Sequence, residues 1–219
     1  MPLLSTGDTM LFFAHIPKTG GSSVEQYMRR KGDLYLYGAR KPPGLTISPQ
    51  HFHAELYTAL LPPPLLEGSF AILRDPMERL LSEYRYRAAQ GRGFWRLLDR
   101  GVGRRRWVKL GRRRRWMDFD AWVAAALRRY PRQTTLNDNH IRPQSDFVID
   151  GQKLFLFEHG LEPVFRWIDA RTGTDPEPEQ FHEKRSDPMR VEVSQATQDA
   201  VAAFYARDYA LIARLRDSA

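Results

Sequence analysis

The chain of 219 residues contains no cysteine. It therefore forms no disulfide, as expected for a protein of a reducing compartment. It also lacks any run close to the roughly eighteen uninterrupted apolar residues that a membrane-spanning helix needs, and its N-terminus lacks the basic-then-apolar pattern of a signal peptide. These absences predict a soluble cytoplasmic protein without a membrane span.

The overall composition fits a protein with one globular core. Hydrophobic residues make up 42% of the 219 residues, which is enough for a single sizeable core. Short apolar runs predict strands at Met10–Ala14, Ser69–Leu73 and 153–157. Helical patterns cover residues 22–30, 52–61, 76–90, 119–130, 161–170 and, long or broken, 194–215. This alternation predicts a single α/β domain over residues 1–219, with a central parallel sheet and helices on both faces.

Residues 11–23, LFFAHIPKTGGSS, place an apolar run directly before a turn rich in glycine and hydroxyl groups. Gly20 and Gly21 let the backbone approach an anion closely, and the N-terminus of the following helix points free N–H groups at it. Further donors come from Lys18, Thr19, Ser22 and Ser23. The segment predicts a site for a phosphorylated ligand. It is not a Walker A loop, because the lysine precedes the glycines.

A second anion site is predicted where the strand Ser69–Leu73 ends. Asp75 is suited to cap the next helix, with Pro76 at its first position and Glu78 three residues after the cap. Arg74 then lies at the carboxyl end of the strand and Ser82 about two turns into the helix, where ligands of open α/β sheets bind. Two such sites indicate a nucleotide phosphorylated at two positions. No carboxylate stands where a Mg²⁺ ligand would be expected, so we expect binding without metal.

The two motifs together, HIPKTGGSS and LRDPMERLLSEYRY, resemble the carbohydrate sulfotransferases, the group of the heparan and chondroitin enzymes and their bacterial relatives. The resemblance implies a three-layer, P-loop-like fold. It implies transfer of a sulfuryl group from 3′-phosphoadenosine 5′-phosphosulfate (PAPS) to a hydroxyl of a carbohydrate or glycoconjugate, with adenosine 3′,5′-bisphosphate (PAP) as product. Arg74 and Ser82 would hold the 3′-phosphate. The phosphosulfate side would be held by Lys18, Thr19, Gly20, Gly21, Ser22 and Ser23.

The resemblance is weaker after residue 90. Residues 137–144, NDNHIRPQ, look like the family's Asn…Arg-Pro-Gln segment, and residues 153–168 look like the strand and helix that follow it. Residues 204–215 are similar to the family's terminal helix. Animal relatives are anchored in the Golgi membrane, so the lack of a membrane span here implies a bacterial-type member.

Sulfuryl transfer needs a base at the acceptor hydroxyl and a cation at the leaving phosphate. Lys18 is suited to neutralise charge on the bridging oxygen as the sulfur–oxygen bond breaks. For the base, His51 and His53 stand between the two anion motifs, and an imidazole of ordinary pKa, about 6.5, suits proton abstraction near neutrality. The resembled family has a histidine here, sometimes in a His-x-His pair.

The two histidines are not equivalent candidates. We favour His51 as the base, with His53 supporting it or touching the acceptor, and a helix-terminus or surface role is the alternative for each. Their spacing of two points them to different sides of a helix, so both can act on one proton only if they precede its first regular turn. We expect no zinc site, because the pair lacks cysteine or carboxylate companions in a recognisable pattern.

The positive charge of the chain comes from one segment. Residues 92–115 contain eleven Lys/Arg and one Asp, whereas the net charge of the whole chain is +8. We interpret an insertion at about 92–116, which also holds Trp95, Trp107 and Trp116, as an electropositive arm for a polyanionic acceptor. A solvated loop is the alternative. We do not expect nucleic-acid binding, because no recognised nucleic-acid module surrounds the segment.

Two other functions compete with sulfuryl transfer. An ATP-dependent kinase with an atypical phosphate loop would require Mg²⁺ and tolerate the loss of Arg74. A non-catalytic polyanion-binding module would survive the loss of Lys18 or His51 and fail when the arginines are neutralised, with a steep salt dependence. The acceptor class stays open between glycan, glycolipid and small hydroxylated metabolite.

Overall fold

A computed structural model describes residues 1–7, 9–66, 68–89, 105–177 and 190–217 of the chain. A five-stranded sheet consists of β1 (Leu3–Ser5), β2 (Met10–Ala14), β3 (Asp33–Tyr35), β4 (Ser69–Leu73) and β7 (Lys153–Leu156). The strand order in this sheet is β3-β1-β2-β4-β7. A separate antiparallel hairpin consists of β5 (Arg106–Leu110) and β6 (Arg113–Met117).

The central sheet is mixed rather than parallel throughout. Strands β2, β4 and β7 are parallel, as predicted, but β1 pairs antiparallel with β2 and β3 pairs antiparallel with β1. The prediction of a fully parallel sheet is therefore wrong at this edge. β1 ends at Ser5 and β2 begins at Met10, a connection too short for the helical crossover that parallel strands need. The Thr6 N–H instead donates to the Thr9 carbonyl at 3.0 Å and closes a tight turn.

Seven α-helices accompany the strands in the described residues. They are α1 (Gly21–Lys31), α2 (Ala54–Leu60), α3 (Pro76–Ala89), α4 (Phe119–Arg129), α5 (Glu162–Thr172), α6 (Gln195–Phe204) and α7 (Ala206–Asp217). The predicted helix over 52–61 begins only at Ala54, because a single 3-10 turn, Pro49–His51, precedes it. The stretch predicted over 194–215 is two helices that meet at Tyr205. No helix among the described residues is long and apolar enough to cross a membrane.

Helices cover both faces of the sheet, as predicted. Alternate side chains of a strand point to opposite faces, so each inner strand contributes to two apolar layers. On one face Phe13 and Phe70 pack with residues of α1 and α5. On the other face Phe12 and Leu73 pack with residues of α2 and α7. Because helices pack on both faces of these buried strands, the loops at the ends of the strands are held in place.

A third apolar cluster lies beyond the sheet. It joins α3, α4 and α6 around Tyr84 and Trp122, and Val108 and Leu110 of the hairpin are buried in it. Residues 92–104 of the predicted insertion at 92–116 lie outside the described residues. For residues 106–117, the alternative interpretation is wrong in expecting a loop, because these residues form an antiparallel hairpin with Val108 and Leu110 buried, while Arg113 and Arg115 are exposed to solvent.

Candidate active site

The predicted phosphate loop joins β2 to α1. Lys18 and Gly20 both adopt left-handed backbone conformations, with φ of 71° and 84°. A side chain at Gly21 would clash, because an added Cβ would stand 1.9 Å from Nε2 of His15. The Thr19 hydroxyl is fully buried and donates to the Ile16 carbonyl at 2.8 Å. Thr19 therefore closes the loop with its hydroxyl, and its contact with a ligand stays a prediction.

The N-terminus of α1 is open to an anion. Among the described side chains none caps this helix end, whose N-cap position is Gly20. The Ser23 N–H turns inward to the Gly20 carbonyl at 3.0 Å, while Ser22 is exposed. Uncapped N–H groups and the positive end of the helix dipole together favour a negatively charged ligand.

Arg74 connects the second motif to this loop. Its guanidinium donates to the Lys18 carbonyl at 3.2 Å and lies 4.4 Å from the ring centroid of Phe157. The side chain of Gln144 fixes its backbone, accepting from the Arg74 N–H at 3.0 Å and donating to the Arg74 carbonyl at 2.7 Å. Gln144 of the NDNHIRPQ segment therefore holds the backbone of Arg74 in the second motif.

Helix α3 carries the other residues of the second motif. Asp75 caps it as predicted, accepting from the Glu78 N–H at 3.0 Å. Ser82 is 6% exposed, and its contact with a 3′-phosphate stays a prediction. Arg79 is fully buried and donates to the carbonyls of His140 and Arg142 at 3.1 and 2.7 Å. Arg79 therefore anchors the 137–144 segment on α3.

His51 has an orienting partner that the sequence analysis missed. Its Nδ1 lies 2.9 Å from the Asp138 carboxylate, which also accepts from the Ser48 N–H at 2.7 Å and the Ser48 hydroxyl at 2.6 Å. Burial of His51 lowers its pKa well below the ordinary value. Burial alone would raise the pKa of Asp138, but the hydrogen bonds from His51 and Ser48 hold it well below its usual range. His51 is therefore a neutral imidazole whose Nδ1–H is held and whose Nε2 can accept a proton.

His53 follows His51 by two residues and lies between the 3-10 turn Pro49–His51 and helix α2. The Asn139 side-chain amide donates to the His51 carbonyl at 2.9 Å and contacts Nδ1 of His53 at 3.3 Å. Burial and the neighbouring Arg142 lower the pKa of His53. His53 is the extended N-cap residue of α2 and His51 ends the preceding 3-10 turn. Both histidines therefore precede the first regular helical turn, the condition for both to act on one proton.

The partners of the two histidines lie on an unusual turn. Asn137, Asp138 and Asn139 are consecutive left-handed residues, with φ of 54°, 65° and 64°. Asparagine and aspartate tolerate this conformation better than other side chains do. The run Asn-Asp-Asn was the available signal for this turn, but it gave no indication of the contacts to His51 and His53. Hydrogen bonds from Gly111 N–H and Arg87 to Asn137, at 2.8 and 3.2 Å, hold the turn in place.

A buried charge network extends from the histidines to the lysine. Glu83 is fully buried and contacts Nδ1 of His140 at 2.7 Å and Nε of Arg87 at 2.5 Å. Burial opposes its charge, but His140, Arg87 and Lys18 lower the pKa of Glu83 to about 2. Burial lowers the pKa of Lys18, whose ammonium stands 4.3 Å from the ring centroid of Tyr86. The rings of His51 and His140 meet edge to face at 4.9 Å.

The same cluster offers atoms that could hold a metal ion. Ligand atoms of His51, Asp138 and His140 all lie within 4.8 Å of one another. Two imidazoles and a carboxylate are a donor set that Zn²⁺ accepts. Asp138, however, already accepts three hydrogen bonds, so a metal there would displace the contacts that orient His51. The absence of a metal from the reaction stays a prediction.

Comparison with known proteins gives one match. The family model described as "Sulfotransferase family" matches residues 2–211. No curated protein and no solved structure matches the chain.

Proposed function

Because the chain belongs to the sulfotransferase family, we propose that it transfers a sulfuryl group from PAPS to a hydroxyl of a carbohydrate or glycoconjugate and releases PAP. The observation that carries this proposal is the junction of the two anion motifs, where the Arg74 guanidinium donates to the Lys18 carbonyl at 3.2 Å. The proposal includes a P-loop-like fold and a single domain over residues 1–219. A cytoplasmic location is the expectation of the sequence alone.

The residues around this junction suit a ligand with two separate anionic groups. The bare N-terminus of α1 and the left-handed Gly20 would hold the phosphosulfate, with Lys18 beside them. Arg74, at the end of the adjacent strand, and Ser82 would hold the 3′-phosphate. When bound, PAPS supplies the sulfuryl group. Gln144 keeps the Arg74 backbone in register, so the distance between the two anion sites is fixed before the ligand arrives.

In the proposed reaction His51 takes the proton of the acceptor hydroxyl. Asp138 holds Nδ1–H at 2.9 Å and so leaves Nε2 as the proton acceptor. Since His53 shares the Asn139 amide with the His51 carbonyl, we assign it to supporting His51 or to contact with the acceptor. Lys18 neutralises the charge that develops on the bridging oxygen as the sulfur–oxygen bond breaks. No step of this mechanism uses a metal.

Calorimetric binding of PAP and of ATP tests the donor site. The titrations use wild type, Arg74→Ala and, as a control, Arg216→Ala at an exposed position of α7, all without Mg²⁺ and with a chelator present. We expect PAP to bind in preference to ATP. Arg74→Ala should weaken PAP binding by about 2 kcal/mol, the scale of a lost charge-assisted hydrogen bond, or roughly thirtyfold. Arg216→Ala should bind like wild type.

The other outcomes identify the competing functions. ATP binding as tight as that of PAP, or binding that appears only when Mg²⁺ is added, would indicate a kinase. If neither nucleotide binds and the chain still binds polyanions, the nucleotide fold is degenerate and the chain is a binding module. Equal PAP affinity in wild type and Arg74→Ala would remove Arg74 from the donor site.

A further inference from the structure

Asp208 is a fully buried charged residue that belongs to neither anion motif. It lies in the first turn of α7, and its carboxylate accepts from the backbone N–H of Gln144 at 2.7 Å and from that of Ser145 at 2.9 Å. These two N–H groups begin a 3-10 turn, Gln144–Phe147, whose N-cap residue, Pro143, has no side-chain acceptor. Asp208 therefore caps this turn from 64 residues away along the chain.

The turn that Asp208 caps also holds the arginine of the second anion motif. The side chain of Gln144 is fully buried and contacts both the N–H and the carbonyl of Arg74, at 3.0 and 2.7 Å. Two contacts to one residue fix the direction of its backbone as well as its position. The Arg74 guanidinium in turn donates to the Lys18 carbonyl at 3.2 Å. A continuous series of hydrogen bonds therefore leads from α7 through the 3-10 turn to the phosphate loop.

A neighbour of Asp208 contacts the same segment by a separate route. Tyr205 is fully buried at the junction of α6 and α7, and its hydroxyl donates to the Ile141 carbonyl at 2.7 Å. This hydrogen bond holds the segment on the C-terminal helices but involves neither Gln144 nor Arg74. Its removal therefore serves as a comparison that weakens the same packing and leaves the series of hydrogen bonds intact.

The chemistry of a carboxylate suits the position of Asp208. An ionised carboxylate only accepts hydrogen bonds, and here each of its two oxygens accepts from one backbone N–H. An asparagine would offer one oxygen and one NH2 group, so it would turn a donor toward one of the two N–H groups. Asp208→Asn therefore breaks half of the cap with almost no change in side-chain volume.

We propose that Asp208 is a positioning residue of the anion site and that, through Gln144, it holds Arg74 in the orientation that receives the anion. The assignment of that anion to a 3′-phosphate rests on the proposed sulfotransferase function. The positioning of Arg74 rests only on the hydrogen bonds between the three residues. Helix α7 thereby sets the affinity of a site to which no motif of the sequence connects it.

Calorimetric titration with PAP tests the consequence for binding. We expect Asp208→Asn to weaken PAP binding about tenfold, less than Arg74→Ala does, because the guanidinium is still present but is no longer fixed. Tyr205→Phe should lower the urea midpoint and change PAP affinity by less than about twofold. Asp199→Asn, at an exposed position of α6, should change neither quantity. If Asp208→Asn does not fold, Asp208→Ser, which keeps one acceptor oxygen, takes its place in every comparison.

A double-mutant cycle shows whether Asp208 acts through Arg74. In the Arg74→Ala background, Asp208→Asn should change PAP affinity by less than about twofold, because the residue that it positions is already gone. A tenfold loss in both backgrounds would overturn the proposal. An equal loss of affinity in Tyr205→Phe and Asp208→Asn would also overturn it, since a general weakening of the packing would then explain both.

Hydrogen exchange of the Arg74 amide, measured by NMR in the nucleotide-free protein, tests the positioning without any ligand. The rate is compared with that of Ile72 in the same protein, which corrects for changes in overall stability. Asp208→Asn should raise the relative exchange rate of Arg74 at least about fivefold, and Tyr205→Phe should not. If wild type does not bind PAP, the sulfotransferase function fails, and faster exchange in Asp208→Asn still supports the positioning. An unchanged relative rate in Asp208→Asn would overturn it.

Discussion

His51 is a buried histidine whose Nδ1 forms a hydrogen bond with Asp138. This contact fixes which ring nitrogen carries the proton and so decides whether Nε2 can act as a base. The sequence placed His51 between two anion motifs, but the partner is 87 residues away along the chain. No local pattern connects them.

Variants of the two histidines and of Asp138 should separate their roles. We expect His51→Ala and Asp138→Asn to lower kcat by about a hundredfold or more, the first by removing the base and the second by releasing its tautomer. Both should bind PAP like wild type. His53→Ala should lower kcat less and raise KM for the acceptor. Steady-state rates with PAPS and a sulfated glycan measure these effects, and a His53→Ala variant slower than His51→Ala would reverse the assignment.

At the scale of single elements, the loop between β2 and α1 depends on the absence of a side chain at Gly21. The imidazole of His15 occupies that space, held by Glu25 at 2.6 Å from its Nδ1. The helix N-terminus therefore packs directly on a histidine that takes no part in the proposed chemistry.

Gly21→Ala should destabilise the protein by about 2 kcal/mol or more, because the buried contact with His15 leaves no room for a methyl group. Urea unfolding measures the effect. Gln26→Ala, on the exposed side of the same helix, is the control and should be nearly neutral. The clash predicts that His15→Ala partly relieves the loss, so the double variant should be more stable than the sum of the two single effects. Strict additivity would disprove the steric explanation.

The elements that the sequence predicted well are those with long local patterns. Met10–Ala14 and Ser69–Leu73 were predicted with the bounds that the structure has, and Asp75 caps α3 as predicted. The short strands Leu3–Ser5 and Asp33–Tyr35 were missed. Three residues carry too little periodicity to be recognised, and their pairing depends on neighbours brought together only in the fold.

In the candidate site, the sequence indicated only the residues that belong to local motifs. Lys18, Arg74 and His51 belong to motifs that can be read locally. Asp138, Asn139 and Gln144, which orient or support them, act through contacts between distant parts of the chain. For Thr19, the motif predicted a contact with the ligand, but it gave no sign of the hydrogen bond from the Thr19 hydroxyl to the Ile16 carbonyl that closes the loop.

On the scale of the whole molecule, buried charge makes stability depend on pH. The folded pKa of Glu83, about 2, lies below the ordinary value of 4.5. A carboxyl whose folded pKa is depressed contributes stability above its unfolded pKa and loses that contribution as pH falls toward the folded pKa. The lowered pKa of buried His51 acts in the same direction, because its protonation in the unfolded state favours unfolding below about pH 6.5.

We therefore expect the urea midpoint to fall steadily as the pH is lowered from 7 toward 3. Glu83→Gln should unfold at lower urea at pH 7, since it leaves Arg87 and His140 without their acceptor, and its midpoint should vary less with pH. Glu78→Gln, at an exposed position of the same helix, is the matched control. A Glu83→Gln variant with the full wild-type pH dependence would show that other carboxyl groups dominate.

The hydrogen bond between the Gly111 amide and Asn137 has a consequence for modularity. The two strands of the hairpin are close in sequence and pair only with each other, as in a part that could be exchanged between relatives. Its turn, however, is also a support of the residue pair that orients the base. A transplanted hairpin would keep this support only if the recipient carried a side-chain acceptor such as asparagine at the matching position, so a change in the hairpin turn reaches the turn that holds Asp138.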